Sequence, residues 1–370
     1  MPHSPAAQRD GVPRLEDEPS GADRSLGRSR VVVGYLVVAA ILPYLLLKVA
    51  WIVGSTIGFA TESSVDSRVL LGGNIVTAGM EFVAIVVVLA LTRDWGLRLP
   101  AWSVLLPAWV GTGLLAPFVI AGPLVVVSVA TQASPVGDGS FQPWVGPVVY
   151  SSFGAQAVGI ALTFALYARA RWPHVLRSHA GCPAPARRPA LASPTWAAVI
   201  LLGVVAAARL LWALHPASAT SVGLAEGRGA TDRVADAGAA AFALLAAAGL
   251  LMMLRRQRAR TPLWIPLTLA WVGSGATWAG GWWPVLLWIG EMTGAGTSSP
   301  GDGLVAGVHI LQVIAGLLVA TVGALLLAGR HGKGAAACED TGAAQRTAGD
   351  DRHSHPPRSA TAGRQRVPPS

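Results

Sequence analysis

Three ionisable residues lie inside long apolar stretches, where a charge is costly. Lys48 and Arg209 are cations in two such stretches, and Glu81 is a carboxylate near the middle of a third. A charge at the centre of a bilayer costs ~2.5–3.5 kcal/mol on the insertion scale, and such residues usually face a bundle interior or a substrate pathway. We interpret Glu81, Lys48 and Arg209 as a candidate binding site for a small solute or ion.

The two cations occupy similar local contexts. Lys48 is followed by Trp51 and Arg209 by Trp212, with the same spacing. One interpretation is a symmetric pair that faces the bundle interior and binds an anionic substrate or a lipid headgroup. The alternative is snorkelling, because both cations lie about six residues, roughly 9 Å by helical rise, from the predicted outer end of their helices.

Glu81 lies too deep to snorkel, about thirteen residues into its predicted span. A carboxyl group at that depth must be protonated, paired or next to water. The functional interpretation is a proton or cation site. The alternative is a neutral acid that hydrogen-bonds a neighbouring helix near Tyr44. The corresponding stretch AAAFALLAAAGLL in the second part of the chain contains no acid.

Glycine and proline interrupt two long apolar segments at matching positions. Gly111 and Gly113 lie in the first segment, and Gly273 and Gly275 lie in the second. Such interruptions in both halves of a repeat point to a transporter binding site. Close packing of helices through small residues is the alternative explanation.

These glycines belong to a motif that occurs twice. The stretch PAWSVLLPAWVGTGLL begins at Pro100 and returns as PLWIPLTLAWVGSGATW from Pro262. The offset is 162 positions from Trp109 to Trp271 and 161 from Lys48 to Arg209. The sequence therefore predicts a tandem duplication of four spans, with both copies in one orientation and a pseudo-two-fold axis along the membrane normal.

The elements that carry these residues are predicted to be transmembrane helices. The chain is 52% hydrophobic and only 13% charged, whereas soluble domains carry about 25% charged residues. Unbroken apolar runs of ~20 residues favour an all-α polytopic bundle over a β-barrel. The eight predicted spans are 31–53, 69–91, 103–130, 144–167, 196–214, 234–254, 263–289 and 304–328.

Polar segments divide the chain and orient it. Residues 31–167 and 195–330 are the predicted repeats, 168–194 a basic cytoplasmic linker, and 1–30 and 331–370 disordered cytoplasmic tails. The predicted inner loops hold eleven arginines and the outer loops three. By the positive-inside rule both termini are cytoplasmic and the bundle spans the plasma membrane.

Several function classes are disfavoured. The net charge of +9 is explained by the inner loops, so we expect no nucleic acid partner. Two cysteines 156 positions apart indicate neither a disulfide nor a metal site. No nucleotide loop, nucleophile–base set or catalytic carboxylate pair is present, so we expect no enzymatic activity, no metal and no cofactor.

The first span, ILPYLLLKVAWIVGSTIGF, resembles that of uncharacterised eight-span membrane proteins of high-GC Gram-positive bacteria. The residues that carry the resemblance are Pro43, Tyr44, Lys48, Trp51 and Gly54. The resemblance covers roughly the first two spans. It implies a polytopic membrane fold and, since that family has no assigned activity, no catalytic or ligand residues.

The leading hypothesis is a transporter-like protein for a small solute or ion. Its site would lie between the halves, near Glu81, Lys48, Arg209 and the glycine-containing segments. The alternative is a non-transporting scaffold, accessory subunit or lipid-contacting sensor. In either case the lipid bilayer is the principal partner.

Overall fold

A computed structural model describes residues 21–60, 67–130, 141–173, 188–215, 230–254, 261–292 and 303–328. Within these ranges the chain forms helices and no named strand, with one isolated bridge between Phe59 and Phe141. The helices are α1 Gly21–Ile52, α2 Ser67–Thr92, α3 Asp94–Arg98, α4 Ala101–Ala130, α5 Val145–Arg171, α6 Arg188–Leu214, α7 Ala230–Leu254, α8 Trp264–Met292 and α9 Gly303–Ala328.

Seven of these helices are long and apolar enough to cross a membrane. They are α1, α2, α4, α5, α6, α7 and α9, and each coincides with a predicted span. The prediction of an all-helical, multi-pass membrane protein is confirmed at this level. The predicted terminal tails and linker lie mostly outside the described residues, although α1 begins at Gly21 and α6 at Arg188.

The helix α8 has 29 residues but is not among the seven. Its sequence is rich in Trp, Gly, Ser and Thr, which lower its mean hydropathy. These residues suit its position, because α8 contacts α4, α7 and α9. A Cβ atom added at Gly273 would overlap the backbone of α7, including the Phe242 carbonyl oxygen at 2.6 Å. The composition of α8 therefore reflects contact with protein rather than lipid.

Neither glycine-containing segment breaks its helix. The helix α4 continues through Pro107, Pro117 and Pro123, and α8 continues through Pro284. Proline is tolerated inside membrane helices because neighbouring groups satisfy the freed carbonyl oxygens. The expected interruptions are therefore absent from these two described helices.

The helices form two quartets. In the first half, α1 contacts α2 and α5, and α4 contacts α5. In the second half, α6 contacts α7 and α9, and α8 contacts α9. The halves differ in the contact between their second and third long helices. In the second half α7 packs closely on α8, whereas in the first half α2 makes few contacts with α4. The second half is filled by buried Ala, Leu, Val and Met, including Leu202, Ala243 and Met253.

The halves meet through α4 and α8, at the duplicated motif itself. The Trp109 Nε1 donates to Ser274 Oγ at 3.0 Å, and the Trp271 Nε1 lies 3.4 Å from Thr112 Oγ1. The two hydrogen bonds are reciprocal, because Trp271 and Ser274 each lie 162 positions after Trp109 and Thr112. Between them Gly113 packs on Gly275, where an added Cβ would overlap the backbone.

Candidate ion and solute site

Each half contains one buried polar cluster between its first, second and fourth helices. The first cluster consists of Tyr44, Lys48, Asn74, Glu81 and Gln156, from α1, α2 and α5. The second cluster consists of Arg209, Asp236, His309 and Gln312, from α6, α7 and α9. The end of the bundle that holds Arg30, Arg93 and Arg171 is called the basic end, and the opposite end is called the distal end.

Lys48 points at α2 rather than out of the bundle. Its Nζ donates to Asn74 Oδ1 at 2.9 Å. It also lies 5.0 Å from the ring centroid of Tyr44 and 4.8 Å from that of Trp51. Two aromatic faces and an amide thus replace part of the solvation of the ammonium group. The side-chain nitrogen of Asn74, Nδ2, is buried and has no hydrogen-bond partner among the described residues.

Glu81 lies two helical turns beyond Asn74, roughly 10 Å deeper in the bundle by helical rise. It is 6% exposed. Its carboxyl group interacts with the side-chain amide of Gln156 and electrostatically with Lys48. One of its oxygens, Oε2, has no hydrogen-bond partner in the part of the chain that the structure describes. Of the two interpretations, the contact with a neighbouring helix is therefore present, but it comes from α5 and leaves half of the carboxyl group unsatisfied.

Helical spacing explains why these groups face one another. Asn74, Thr77 and Glu81 follow at intervals of three and four residues, which places them on one face of α2. Tyr44 and Lys48 are separated by one turn on α1, and Tyr44 interacts with Thr77. The result is a polar track between α1 and α2 that ends at Glu81 and α5.

The helix α5 anchors the deep end of the track. Gln156 is 1% exposed, and its Nε2 lies 3.2 Å from Ser152 Oγ. Ser152 donates in turn to the Ala40 carbonyl oxygen of α1. This chain of hydrogen bonds fixes the orientation of the Gln156 amide and hence the side of Glu81 that it contacts.

An aromatic cap covers the distal side of Lys48. The rings of Trp51, Phe59 and Phe141 lie 5.1–5.4 Å apart. The Trp51 Nε1 donates to the Ile57 carbonyl oxygen at 2.8 Å. Gly58 has a φ of +83°, a conformation that favours glycine, and its carbonyl oxygen accepts from the Gln142 amide at 2.8 Å. The cap therefore joins the loops that follow α1 and precede α5.

On the other side of Glu81 the contacts become apolar. A cluster of buried side chains lies further toward the basic end: Val37, Ile41, Val88, Leu115 and Ile160. These residues come from α1, α2, α4 and α5. They form an apolar layer across the first half, between the polar track and the basic end. The track is thus enclosed between an aromatic cap and an apolar layer.

The second cluster satisfies its cation directly. The Arg209 guanidinium forms an ion pair with Asp236 at 2.8 Å and donates to Gln312 Oε1 at 2.6 Å. Its NH2 also lies 3.0 Å from His309 Nδ1. The guanidinium carbon lies 5.3 Å from the Trp212 ring centroid. Lys48 and Arg209 are therefore each hydrogen-bonded to the second helix of their own half.

The two clusters share a framework and differ in detail. Lys48 and Arg209 are 161 positions apart, and Asn74 and Asp236 are 162 apart. Deeper in the bundle the halves diverge. The polar residues of the first half, at offsets of 161 or 162, correspond to apolar ones in the second: Tyr44 to Val205, Thr77 to Ala239 and Glu81 to Ala243.

The predicted site residues therefore occupy three places. Lys48 and Glu81 lie in the first cluster, Arg209 lies in the second, and Gly113 and Gly275 lie at the contact between the halves. The other two motif glycines do not line either cluster: Gly273 packs on α7, and an added Cβ at Gly111 would meet nothing within 4 Å. The glycine contacts support the alternative explanation, close packing of helices.

Sequence reasoning missed the partners of the two cations. Asn74 and Asp236 are separated by the repeat offset, so a search for polar residues at that offset would have found both. Gln156 and Gln312, by contrast, are 156 positions apart and carry no such signal. Their roles become visible only once the fourth helices are placed against the first and second.

No known family model, curated protein or solved structure matches this chain. The function must therefore be argued from the chemistry of the two clusters. Both clusters hold buried polar atoms without a partner among the described residues: Asn74 Nδ2 and Glu81 Oε2 in the first, and Gln312 Nε2 in the second. The first is the stronger candidate for a binding site, because among the described residues its cation, Lys48, forms no ion pair, whereas Arg209 is paired with Asp236.

Proposed function

We propose that this protein is a transporter-like protein of the plasma membrane that binds a small solute or ion in its first half. The observation that carries the proposal is that Lys48, unlike Arg209, forms no ion pair among the described residues and lies on a track with two buried atoms that have no partner there, Asn74 Nδ2 and Glu81 Oε2. The site is then the polar track beside α1, α2 and α5 rather than the contact between the halves.

Unsatisfied buried groups of this kind need an explanation. Leaving one buried donor or acceptor without a partner costs about 1–3 kcal/mol, and native proteins keep few of them. Here a donor and an acceptor lie along the same track, with the half-buried ammonium group of Lys48 beside the donor. A bound polar ligand would satisfy these atoms and offset their cost.

The enclosure of the track fits a transport cycle. The aromatic cap of Trp51, Phe59 and Phe141 separates Lys48 from the distal end, and an apolar layer separates Glu81 from the basic end. A site closed on both sides corresponds to an occluded state. Transport would require one closure to open at a time.

We further propose that α8 is an eighth span and that the two quartets are tandem repeats in one orientation. The reciprocal bonds of Trp109 and Trp271 support this, because an interface with two-fold symmetry exchanges equivalent contacts. The arginines at the basic end favour placing that end in the cytoplasm.

A scaffold remains the second candidate, and the second half favours it. Its cation is ion-paired to Asp236, and its core is filled with small apolar side chains. The glycine contact between the halves is likewise a packing feature. These observations describe a rigid support, which is also what a transporter with one working half would need.

Reconstitution tests the proposal. Purified protein in proteoliposomes would be exposed to a panel of small anions, cations and neutral solutes, with uptake of labelled solute measured for each one and current recorded for the charged ones. We expect a current or tracer flux that Asn74→Ala and Glu81→Ala each abolish. Thr321→Val is the matched control, because the Thr321 hydroxyl is exposed and donates only to its own helix, at the Leu317 carbonyl oxygen.

Wild-type flux equal to that of empty liposomes across the panel would contradict transport and favour the scaffold. Flux that persists in Asn74→Ala at the wild-type rate would remove the first cluster from the pathway while leaving transport intact. Both variants would first be checked for monodisperse elution and for a thermal unfolding transition that lies above the assay temperature, so that a loss of flux is not caused by unfolding.

A further inference from the structure

We propose that the first cluster binds one small monovalent anion at Lys48 and Asn74 together with one proton on Glu81. This inference rests on the proposed function and names the substrate class of the same site. It is carried by the kinds of polar atoms present, by their depth and by the sum of their charges.

The distal part of the track presents donors. The Lys48 ammonium uses one N–H on Asn74 Oδ1, at 2.9 Å, and the rest of the group lies beside the rings of Tyr44 and Trp51. Because the Asn74 oxygen faces the ammonium, its NH2 group must point elsewhere, and Nδ2 is buried without a partner. A positive charge and an unused donor together select an anion.

The deep part of the track presents the only acidic partner of that ammonium among the described residues. Glu81 interacts electrostatically with Lys48, and its Oε2 is unsatisfied. An ionised Glu81 would repel an anion bound two helical turns away. A protonated Glu81 would not, and its new O–H could itself act as a donor.

Charge balance couples the two ligands. With Lys48 and Glu81 both ionised, the cluster is neutral; an anion alone would make its net charge −1, and a proton alone would make it +1. An uncompensated charge buried in a membrane costs several kcal/mol. Binding the anion and the proton together restores a net charge of zero, so joint binding is favoured over either ligand alone.

The proton step is simple. A hydronium ion that reaches the track transfers its proton to a carboxylate oxygen of Glu81, which becomes a carboxylic acid, and a water molecule remains. Lys48 keeps its charge throughout and exchanges one counter-charge for another, the Glu81 carboxylate for the bound anion. Release of the anion and the proton reverses the step.

Among the side chains that the structure describes on the surrounding helices, no other ionisable group competes for this role. From α1, Lys48 and Tyr44 face Glu81. The helix α4 has no ionisable side chain, and α5 presents the neutral Gln156 and Ser152. The remaining described ionisable side chains of α3 and α5 lie toward the helix ends: Asp94, Arg98, Tyr150, Tyr167, Arg169 and Arg171.

Binding can be measured without a transport assay. Chloride, nitrate, formate and acetate would be titrated into purified protein in nanodiscs, with sodium and potassium salts exchanged to separate cation effects. The midpoint of thermal unfolding reports binding. For one proton taken up with each anion, we expect the wild-type affinity to fall about ten-fold per pH unit above the pH at which Glu81 ionises.

Two variants separate the role of Glu81 from that of Lys48. In Glu81→Gln the neutral amide mimics the protonated acid, so anion binding should persist and lose its dependence on pH. In Lys48→Gln it should weaken at least ten-fold at every pH. Arg98→Gln is the control for non-specific attraction, because Arg98 is an exposed arginine at the basic end, and it should match the wild type.

The outcomes distinguish this inference from the function on which it rests. Anion binding with the expected pH dependence but no flux in proteoliposomes supports the joint site and overturns transport. Flux of a cation or a neutral solute supports transport and overturns the joint site. Anion binding that is independent of pH in the wild type, or unchanged in Lys48→Gln, overturns the joint site directly.

Discussion

The two polar clusters place a cation at equivalent positions and satisfy it in different ways. In the second cluster, Arg209 has the Asp236 carboxylate at 2.8 Å on the neighbouring helix. In the first cluster, Lys48 has the neutral Asn74 amide at the equivalent position, and its acidic partner Glu81 lies two turns deeper. The position of the counter-charge is therefore the main difference between the halves.

That difference has consequences for what each half can do. A cation paired at hydrogen-bonding distance is strongly held, and breaking the pair leaves a buried charge. A cation balanced from a distance can accept a different counter-charge. The apolar residues Val205, Ala239 and Ala243 complete the contrast, because they occupy the positions that correspond to Tyr44, Thr77 and Glu81 in the first half. On our proposal, the second half, whose cation is paired with Asp236, is a locked half. The first half, where a bound anion can replace the counter-charge of Lys48, is an exchangeable half.

The largest expected effect comes from breaking the locked pair. Asp236→Ala removes the carboxylate that faces Arg209 and should lower the free energy of unfolding by about 3–5 kcal/mol. Asn74→Ala removes one hydrogen bond to a charged group and should cost about 1.5–3 kcal/mol. Denaturant titration of both variants in mixed micelles, monitored by tryptophan fluorescence, measures the difference.

Asp236→Asn is the matched control for that pair. The amide keeps the size of the side chain and one acceptor for Arg209 while removing the charge, so its cost should lie between those of the two alanine variants. Equal costs for Asp236→Ala and Asn74→Ala would show that the two cations are held equally strongly and would remove the contrast.

The outline of this architecture was predictable, because long apolar runs leave few alternatives in a membrane. The positions of seven spans follow from those runs, and α8 follows from its likeness to α4. The constant sequence offset between the halves also identifies Asn74 and Asp236 as polar residues at equivalent positions. The offset does not predict the direction in which each cation points, because a snorkelling cation and a paired cation have the same sequence pattern.

Contacts between helices far apart in sequence were less accessible. The likeness of the two glycine motifs does not reveal that they pack on each other, because that depends on how the halves dock. Gln156 illustrates the same limit: a lone glutamine in an apolar helix acquires a role only when α5 is placed beside Glu81. The apolar layer below Glu81 likewise draws residues from four helices and has no local signature.

A second prediction concerns the contact that joins the locked half to the exchangeable one. In Gly113→Ala the new methyl group would overlap the Gly275 backbone, and overpacking of this kind costs about 1–3 kcal/mol. In Gly111→Ala the methyl group meets nothing within 4 Å, and alanine in a helix interior is favoured over glycine by roughly 0.5–1 kcal/mol. Thermal unfolding in nanodiscs should therefore shift in opposite directions.

The same pair of variants shows whether α4 and α8 are in close contact. Identical shifts for both variants would mean that α4 and α8 are not in close contact. Loss of stability in Gly113→Ala with unchanged anion affinity would show that the contact supports the fold without shaping the first cluster.

The smallest and most specific change would convert the exchangeable cluster into a copy of the locked one. Asn74→Asp places a carboxylate beside Lys48, as Asp236 lies beside Arg209, and removes the donor that we assign to the anion. Charge-assisted hydrogen bonds are stronger than neutral ones, so we expect a gain of about 1 kcal/mol in the free energy of unfolding together with loss of anion binding. Combining it with Glu81→Gln restores neutrality and should be more stable than the two single changes predict. A destabilised Asn74→Asp variant that still binds anions would instead mean that the position of the counter-charge does not distinguish the halves.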